Sequence, residues 1–152
     1  MMVSTHFDLR EFIDPVTYKA RGDESIGLIN KKLIAIAEFI RVKLGKPVTI
    51  NNWHTGGQYK ESGLRNPNSK TGAKFSQHKL GNAIDCKSSG FGGAEWYTFV
   101  KENAKALYDL GVRRIEDKNI ATTWLHIDCK EHGKKCIQVI DLVKVIEEIA
   151  IK

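Results

Sequence analysis

Two short segments of this chain, residues 76–85 and 124–128, constrain its fold more strongly than any other feature. The first contains His78 and Asp85, and the second contains His126. Imidazole nitrogen and carboxylate oxygen are common zinc ligands, and three protein ligands leave one position of a four-coordinate ion open, which is typical of catalytic zinc. These residues therefore predict a hydrolytic Zn²⁺ site, and the fold must bring the two segments together.

The spacing of the three residues indicates how the segments would meet. His78 and Asp85 are separated by Gly81, which lets the backbone bend, and they do not follow the His-Glu-x-x-His pattern of a zinc-binding helix. Side chains alternate along a strand, so one face of a strand over 124–128 carries Trp124, His126 and Asp128. We expect a loop histidine, a strand carboxylate and a histidine on a neighbouring strand.

Hydrophobic periodicity predicts the elements around these segments. The expected helices are a short helix or turn over 7–12 that ends at Pro15, amphipathic helices over 25–44 and 94–110, and a final helix over 142–151. The expected strands are 48–50, 82–86, 112–115, 123–129 and 136–140. This pattern predicts one α+β domain over residues 1–152, with a small, mostly antiparallel sheet flanked by helices.

Composition and charge narrow the expected partners. The chain has no apolar run of bilayer length and no secretory leader, so we expect synthesis in the cytoplasm without a signal peptide and no membrane association. A net charge of +6 favours an anionic partner, and nucleic acid and a bacterial cell wall both meet this condition. The Lys and Arg residues form no recognisable nucleic-acid-binding motif, so no nucleic acid is expected, and a nucleic-acid-binding protein is only the third functional hypothesis. The sequence leaves the oligomeric state open, with a monomer favoured.

The ligand motifs resemble those of a known enzyme family. The pattern Ser76-x-His78-x-x-Gly81-x-Ala83-x-Asp85, with Trp-x-His-x-Asp downstream, is similar to that of the zinc D-Ala-D-Ala carboxypeptidases and endopeptidases, which cut peptidoglycan stem peptides. The hedgehog signalling domain has a similar fold. The phage endolysin branch is most similar, because the chain also has a Phe-x-Leu-x-Glu-Phe element at 7–12 and Pro-Val-Thr-Ile at 47–50. The resemblance covers roughly residues 7 to 130.

This resemblance implies a zinc-dependent peptidase of the hedgehog/D-Ala-D-Ala-peptidase-like fold, with His78, Asp85 and His126 as the zinc ligands. Its substrate would be peptidoglycan stem peptides, cut either as a D,D-carboxypeptidase or as an L-Ala-D-Glu endopeptidase. A phage or prophage endolysin without a signal peptide would act on the cell wall after its release, or as a virion component.

The general base is the point at which the chain departs from the family. Many relatives place an acid three residues before the last ligand histidine, where this chain has Thr123. Asp128 shares a strand face with His126, so it would either act as the base or orient the ligand. Glu116 or Asp117, at the start of a loop, is the alternative. A zinc-containing binding module for cell wall or protein, without catalysis, is the second functional hypothesis.

The substrate-binding residues are also predicted in part from the family. Many relatives carry an arginine in a Ser-Gly-Tyr-Arg motif where this chain has His54. Arg65, in the long loop over 51–74, is expected to replace it as a bidentate partner for a substrate carboxylate. Ser76 is expected either to bond a substrate carboxylate or to brace its loop. Trp124 is expected either to line the pocket or to pack.

The three cysteines allow a separate hypothesis. Cys129-x2-His132-x3-Cys136 offers soft ligands for a structural zinc ion, but no fourth ligand is adjacent. On strands, Cys86 and Cys129 would point into the core, where a free cysteine behaves as a small apolar residue. Buried free cysteines are therefore favoured over a second metal site or a Cys86–Cys129 disulfide.

Overall fold

Five strands form one mixed sheet, which four α-helices flank, in a computed structural model that describes residues 1–142 and 144–152. The strands are β1 (Ala83–Cys86), β2 (Arg114–Glu116), β3 (Leu125–Asp128), β4 (Cys136–Asp141) and β5 (Lys144–Ala150). Their order in the sheet is β1-β3-β2-β4-β5, and every neighbouring pair is antiparallel except β2 and β4. The predicted α+β class with a mostly antiparallel sheet is confirmed.

The helices begin and end at residues that the local chemistry explains. They are α1 (Pro15–Arg21), α2 (Lys32–Leu44), α3 (Gly93–Glu102) and α4 (Ala104–Leu110), with 3-10 turns at Leu9–Glu11, Gly22–Leu28 and Trp53–Thr55. Pro15 begins a helix instead of ending one, because a proline loses no hydrogen bond at the first helical position. The Asp14 carboxylate caps α1 by accepting a hydrogen bond from the Thr17 amide at 2.9 Å.

Two of the predicted helices are shorter than expected. The helix predicted over 25–44 begins only at Lys32, because a 3-10 turn and the extended Ile29 precede it. The helix predicted over 94–110 is divided at Asn103, whose side-chain amide donates to the Phe99 carbonyl at 2.8 Å. Asparagine competes in this way for helix carbonyls, and it therefore favours helix ends.

The predicted final helix over 142–151 is wrong. Residues Lys144–Ala150 form β5, which pairs antiparallel with β4 from Asp141↔Lys144 to Cys136↔Ala150. Leu142 has a φ of 57° at the turn between the two strands, and Val143 lies outside the described residues. A hairpin forms because β4 offers an unpaired edge to a segment rich in β-branched residues. The strand predicted at 48–50 is reduced to one bridge, Thr49↔Lys87.

The register of the three strands β1, β3 and β2 determines which side chains share a face. Asp85 pairs with His126 across β1 and β3, and Arg114 pairs with Asp128 across β2 and β3. Continuing the latter register by one residue pair places Glu116 beside His126. Directly paired residues project to the same face, so these five side chains lie on one face of the sheet, called here the site face.

The opposite face of the sheet forms the hydrophobic core. Ile84, Ile115 and Ile127 are almost fully buried there and belong to one cluster with apolar residues of the helices, including Leu33 of α2, Trp96 of α3 and Leu107 of α4. Burying these side chains on one face holds the strands in register, because a slip of one residue would move them all to the site face. Among the described residues, no helix has the length and apolar character needed to cross a membrane.

Candidate metal centre

His78, Asp85 and His126 converge at one point on the site face. His78 Nε2 lies 3.2 Å from His126 Nδ1 and 3.2 Å from Asp85 Oδ1, and His126 Nδ1 lies 3.0 Å from Asp85 Oδ1. Ligand atoms bound about 2.0–2.1 Å from a tetrahedral zinc ion are themselves about 3.3 Å apart. The three atoms therefore have the spacing that one metal ion requires, and the group can hold such an ion.

The outer nitrogen of each histidine is fixed by an acceptor. His78 Nδ1 lies 2.9 Å from the Gly63 carbonyl oxygen, which only accepts, so Nδ1 carries the proton and Nε2 is free to bind a metal. His126 Nε2 lies 3.1 Å from Asp128 Oδ2, which leaves His126 Nδ1 facing the other two ligands. Metal-binding histidines are commonly oriented by a carbonyl or carboxylate in this way.

Asp128 is fully buried and is held by a bidentate ion pair with Arg114. Arg114 Nε donates to Asp128 Oδ1 at 2.9 Å, and Arg114 Nη2 donates to Asp128 Oδ2 at 2.8 Å. With His126 also bonded to Oδ2, both carboxylate oxygens are occupied. Of the two roles expected for Asp128, the geometry favours orienting His126 over acting as a general base.

The charges in the cluster favour a cation between the ligands. Burial acts to raise the pKa of Asp85, but His78 and His126 outweigh it and hold that pKa well below its ordinary range. Burial acts to lower the pKa of His126, but Asp128 and Asp85 outweigh it and raise the pKa to about 10. Burial lowers the pKa of His78. Two ionised carboxylates thus attract a positive charge, either a proton or a metal ion, to this point.

Glu116 is the half-buried acid that the register places next to His126. Burial is the main cause of its raised pKa, to which the nearby charges of Asp85 and Asp128 add. A carboxylate with a raised pKa beside a metal position is suited to accept and return a proton. Glu116 is therefore the acid that the geometry favours for the general base.

The structure does not bring Asp117 to the cluster. Its backbone amide donates to the Ile140 carbonyl at 2.8 Å at the end of β2. The negative charge of Asp117 acts instead on Tyr97 of α3. The pKa of Tyr97 is raised to about 12, mainly by a hydrogen bond to Glu147 and to a smaller extent by the charge of Asp117. Of the two neighbouring acids predicted from the sequence, only Glu116 faces the candidate ligands.

Arg65 reaches the candidate metal centre from the long loop. Its Nη2 lies 3.5 Å from Asp85 Oδ2, its Nε donates to the Glu61 carbonyl at 2.8 Å, and its backbone amide donates to the His78 carbonyl at 3.1 Å. The guanidinium keeps donors beyond these bonds. It can hold Asp85 in place or bind a carboxylate brought by a ligand.

The remaining predicted residues lie at the margin of the site. Ser76 Oγ accepts a hydrogen bond from the His78 amide at 3.2 Å, which supports the loop-bracing alternative. Trp124 is half-buried just before β3, and Thr123 is exposed. His54 lies elsewhere: its ring packs against Trp53, and the charges that act on it are those of Arg10 and Asp8.

Two residues beside the site were missed by sequence reasoning. Arg114, which holds Asp128, is one, and Lys87 is the other. Lys87 Nζ donates to Ser62 Oγ at 2.8 Å and lies 4.3 Å from the centre of the Tyr59 ring. Arg114 would have been predictable only from the register of β2 on β3, which no local pattern specifies.

The cysteines form no second metal site within the described part of the chain. All three are free; Cys86 and Cys136 are buried, and Cys129 is partly buried. The predicted pattern is broken because Cys136 Sγ lies 3.2 Å from Glu148 Oε2, while His132 Nε2 lies 3.0 Å from the Arg113 carbonyl. Burial raises the pKa of the Cys86 thiol to about 12, as expected for an unreactive core residue.

The fold and this site define an α+β protein with a candidate metal centre of two histidines and one aspartate. Comparisons of the chain with models of known protein families, with curated proteins and with solved structures find no match.

Proposed function

We propose that this protein is a zinc-dependent peptidase that hydrolyses a peptide bond in peptidoglycan stem peptides. The observation that carries the proposal is the convergence of three ligand atoms at 3.0–3.2 Å on a sheet face that also presents Glu116. The likeness of the Ser76–Asp85 and Trp124–Asp128 segments to the zinc D-Ala-D-Ala peptidases supports this substrate class, and the net charge of +6 suits an anionic wall.

The candidate ligand residues suit zinc and would leave one coordination position open for water or substrate. His78 Nε2, His126 Nδ1 and Asp85 Oδ1 would hold the ion, and a set of only three protein ligands leaves one position open. Bound zinc would supply Lewis-acid activation of a carbonyl group and of water. Because nitrogen and carboxylate ligands discriminate weakly among divalent metals, the metal itself is to be identified by elemental analysis of the purified protein.

Two further side chains have roles in the proposed hydrolysis. Glu116 accepts a proton from the attacking water and later gives it to the leaving amine. Arg65 binds a carboxylate of the substrate through its guanidinium and so sets the position of the peptide bond. Asp128 and Arg114 take no proton; they keep His126 in the orientation in which Nδ1 faces the metal position.

Mass spectrometry of purified peptidoglycan, incubated with the protein with and without a zinc chelator, tests this proposal. We expect stem-peptide fragments that the chelator abolishes, and their masses distinguish a D,D-carboxypeptidase from an L-Ala-D-Glu endopeptidase. The Glu116→Gln variant should cleave about 10²–10⁴-fold more slowly than the wild type while it still binds the metal. Asp117→Asn is the matched control and should cleave normally. Loss of activity in Asp117→Asn alone would overturn the assignment of the base.

A non-catalytic binding module is the second candidate, and one observation favours it. Thr123, which stands where many relatives of the resembled family have an acid, is exposed and offers no proton-accepting carboxylate. In this case peptidoglycan would stay intact while the metal-loaded protein sediments with it. That combination of results would replace the peptidase proposal.

A further inference from the structure

A groove lies beside the candidate metal centre, between α1 and the loop that carries His78. Its volume is about 450 Å³, within the range of roughly 300–1,000 Å³ that is usual for ligand sites. One wall is α1 together with Leu28, and the other wall consists of residues 64–67 and 79–80.

Backbone hydrogen bonds hold the segments around this groove together, within one wall and between the two. The Arg65 amide donates to the His78 carbonyl at 3.1 Å, and the Asn30 amide donates to the Gly81 carbonyl at 2.7 Å. The Leu64 amide donates to the Phe12 carbonyl at 2.8 Å. The shape of the groove is therefore fixed by backbone hydrogen bonds between the segments that form it.

Arg65 connects the groove with the candidate metal centre. Arg65 lines it, and the guanidinium of the same residue lies 3.5 Å from Asp85 Oδ2. Lys79 and Leu80, which also line the groove, directly follow the candidate ligand His78. A peptide bound across the three ligand residues would extend into this groove on one side of the bond to be cut.

The groove combines exposed apolar side chains with unpaired cations. Val16 is 61% exposed and Leu80 is 60% exposed, although both line the groove. Arg21, Arg65 and Lys79 supply positive charge, and no carboxylate lines the groove in the described part of the chain. Among residues 1–142 and 144–152, neither Arg21 nor Lys79 has an ion-pair partner.

We propose that this groove binds an acidic peptide segment, namely the part of the substrate next to the bond that is cut. The inference rests on the proposed peptidase function. Carboxylates of the segment would pair with Arg21 and Lys79, while small apolar side chains such as alanine would cover Val16 and Leu80. The alternation of alanine and an acidic residue in an L-Ala-D-Glu segment suits this combination.

Binding of a synthetic stem peptide to the zinc-loaded Glu116→Gln variant tests the groove without turnover. Two probes are used, one with the free glutamate carboxylate and one with that carboxylate amidated. Amide chemical shifts are followed by NMR, and dissociation constants are measured by titration. In the same background, Arg21→Glu and Lys79→Glu reverse charges in the groove. Lys19→Glu reverses an exposed charge on α1 that does not line it.

We expect the acidic peptide to shift the amides of α1 and of residues 79–80. Each groove reversal should weaken its binding about five- to tenfold, whereas Lys19→Glu should leave it within about twofold. The amidated peptide should bind more weakly and should respond little to the reversals. Zinc content and melting temperature are checked for each variant, because Lys79 adjoins a candidate ligand.

The two proposals fail in different ways. Equal binding by all four proteins, or shifts confined to other surfaces, would overturn the groove assignment even if the wild-type protein cleaves peptidoglycan. Charge-dependent binding in the groove by a protein that cleaves no stem peptide would uphold the acidic-peptide site and overturn the peptidase. Peptide binding that is indifferent to the glutamate carboxylate would also overturn the inference.

Discussion

At the scale of single residues, the ion pair of the fully buried Asp128 with the partly buried Arg114 supports the candidate metal centre. Burying a carboxylate carries a large desolvation cost that bonds to its oxygens must offset, and here Arg114 and His126 bond both oxygens. The pair thereby determines which nitrogen of His126 faces the metal position. A residue outside the candidate ligand set thus controls the orientation of His126.

Asp128→Asn should weaken metal binding about 10- to 100-fold, because the amide removes the charge that orients His126 and makes it basic. The measurement is competition with a metallochromic chelator at constant pH. Asp109→Asn is the control, since this exposed acid pairs only with Lys105. An unchanged affinity in a folded Asp128→Asn protein would show that Asp128 does not support the ligand.

At the scale of elements, the loop between His78 and β1 depends on a close backbone contact. Gly81 has a φ of +68°, and a Cβ atom added there would lie 2.0 Å from the Leu28 carbonyl oxygen. The Asn30 side-chain amide donates to Asn82 Oδ1 at 2.9 Å, which also holds the loop against the segment that follows Leu28. The 3-10 turn at Gly22–Leu28 is therefore a support for the ligand loop.

Gly81→Ala should destabilise the protein by about 2 kcal/mol or more, because it combines a positive φ with a steric clash against backbone. Gly27→Ala is the matched control, since a Cβ atom there meets nothing within 4 Å. Urea unfolding of both variants provides the comparison. Equal stability of the two would mean that the ligand loop does not pack on Leu28 as described.

The second prediction at the scale of elements concerns two isoleucines of the C-terminal strand β5 that differ in burial. Ile149 is 6% exposed and faces the core, whereas Ile146 is 49% exposed. Ile149→Ala should therefore lower the free energy of unfolding by about 2–4 kcal/mol, and Ile146→Ala by less than about 0.5 kcal/mol. Both are measured by urea unfolding. Comparable losses from both substitutions would contradict the burial pattern of β5.

At the scale of the whole molecule, a metal ion and a proton would compete for the same position between His78, Asp85 and His126. In the metal-free protein, Asp85 and Asp128 raise the pKa of His126 to about 10, against an ordinary value near 6.5. The protonated histidine thus stabilises the folded state fully below about pH 6.5, and this contribution is lost as the pH rises through about 10. A bound divalent ion would replace the proton and its contribution.

Thermal unfolding of the metal-free protein should show a melting temperature that falls between pH 6.5 and 9.5. With zinc at about 100 times its dissociation constant, the folded state should gain about 2.7 kcal/mol, and the alkaline fall should diminish. His126→Asn, which has no titrating ring, should lack this part of the pH dependence. A metal-free profile identical in wild type and His126→Asn would argue against the charge coupling described here.

Much of the fold and of the ligand set is determined by patterns that are local in the sequence. Alternation in residues 124–128 places His126 and Asp128 on one strand face, and a period near 3.6 marks α2 and α3. The donor types of His78, Asp85 and His126, within motifs that resemble those of a zinc peptidase family, predict a metal site. These features depend on neighbours a few positions apart, which a single sequence contains.

Features that depend on pairing between distant segments, namely the strand β5 and the orientation of Glu116, were decided only by the tertiary structure. The spacing of Val145, Ile146 and Ile149 is compatible with one face of a helix, and their β-branched side chains are equally compatible with a strand. The segment forms a strand because it pairs with the free edge of β4. Glu116 and Asp117 are adjacent acids, yet the register of β2 on β3 turns only Glu116 toward His126. Register is set by backbone hydrogen bonds and core burial across the sheet, so no local pattern contains it.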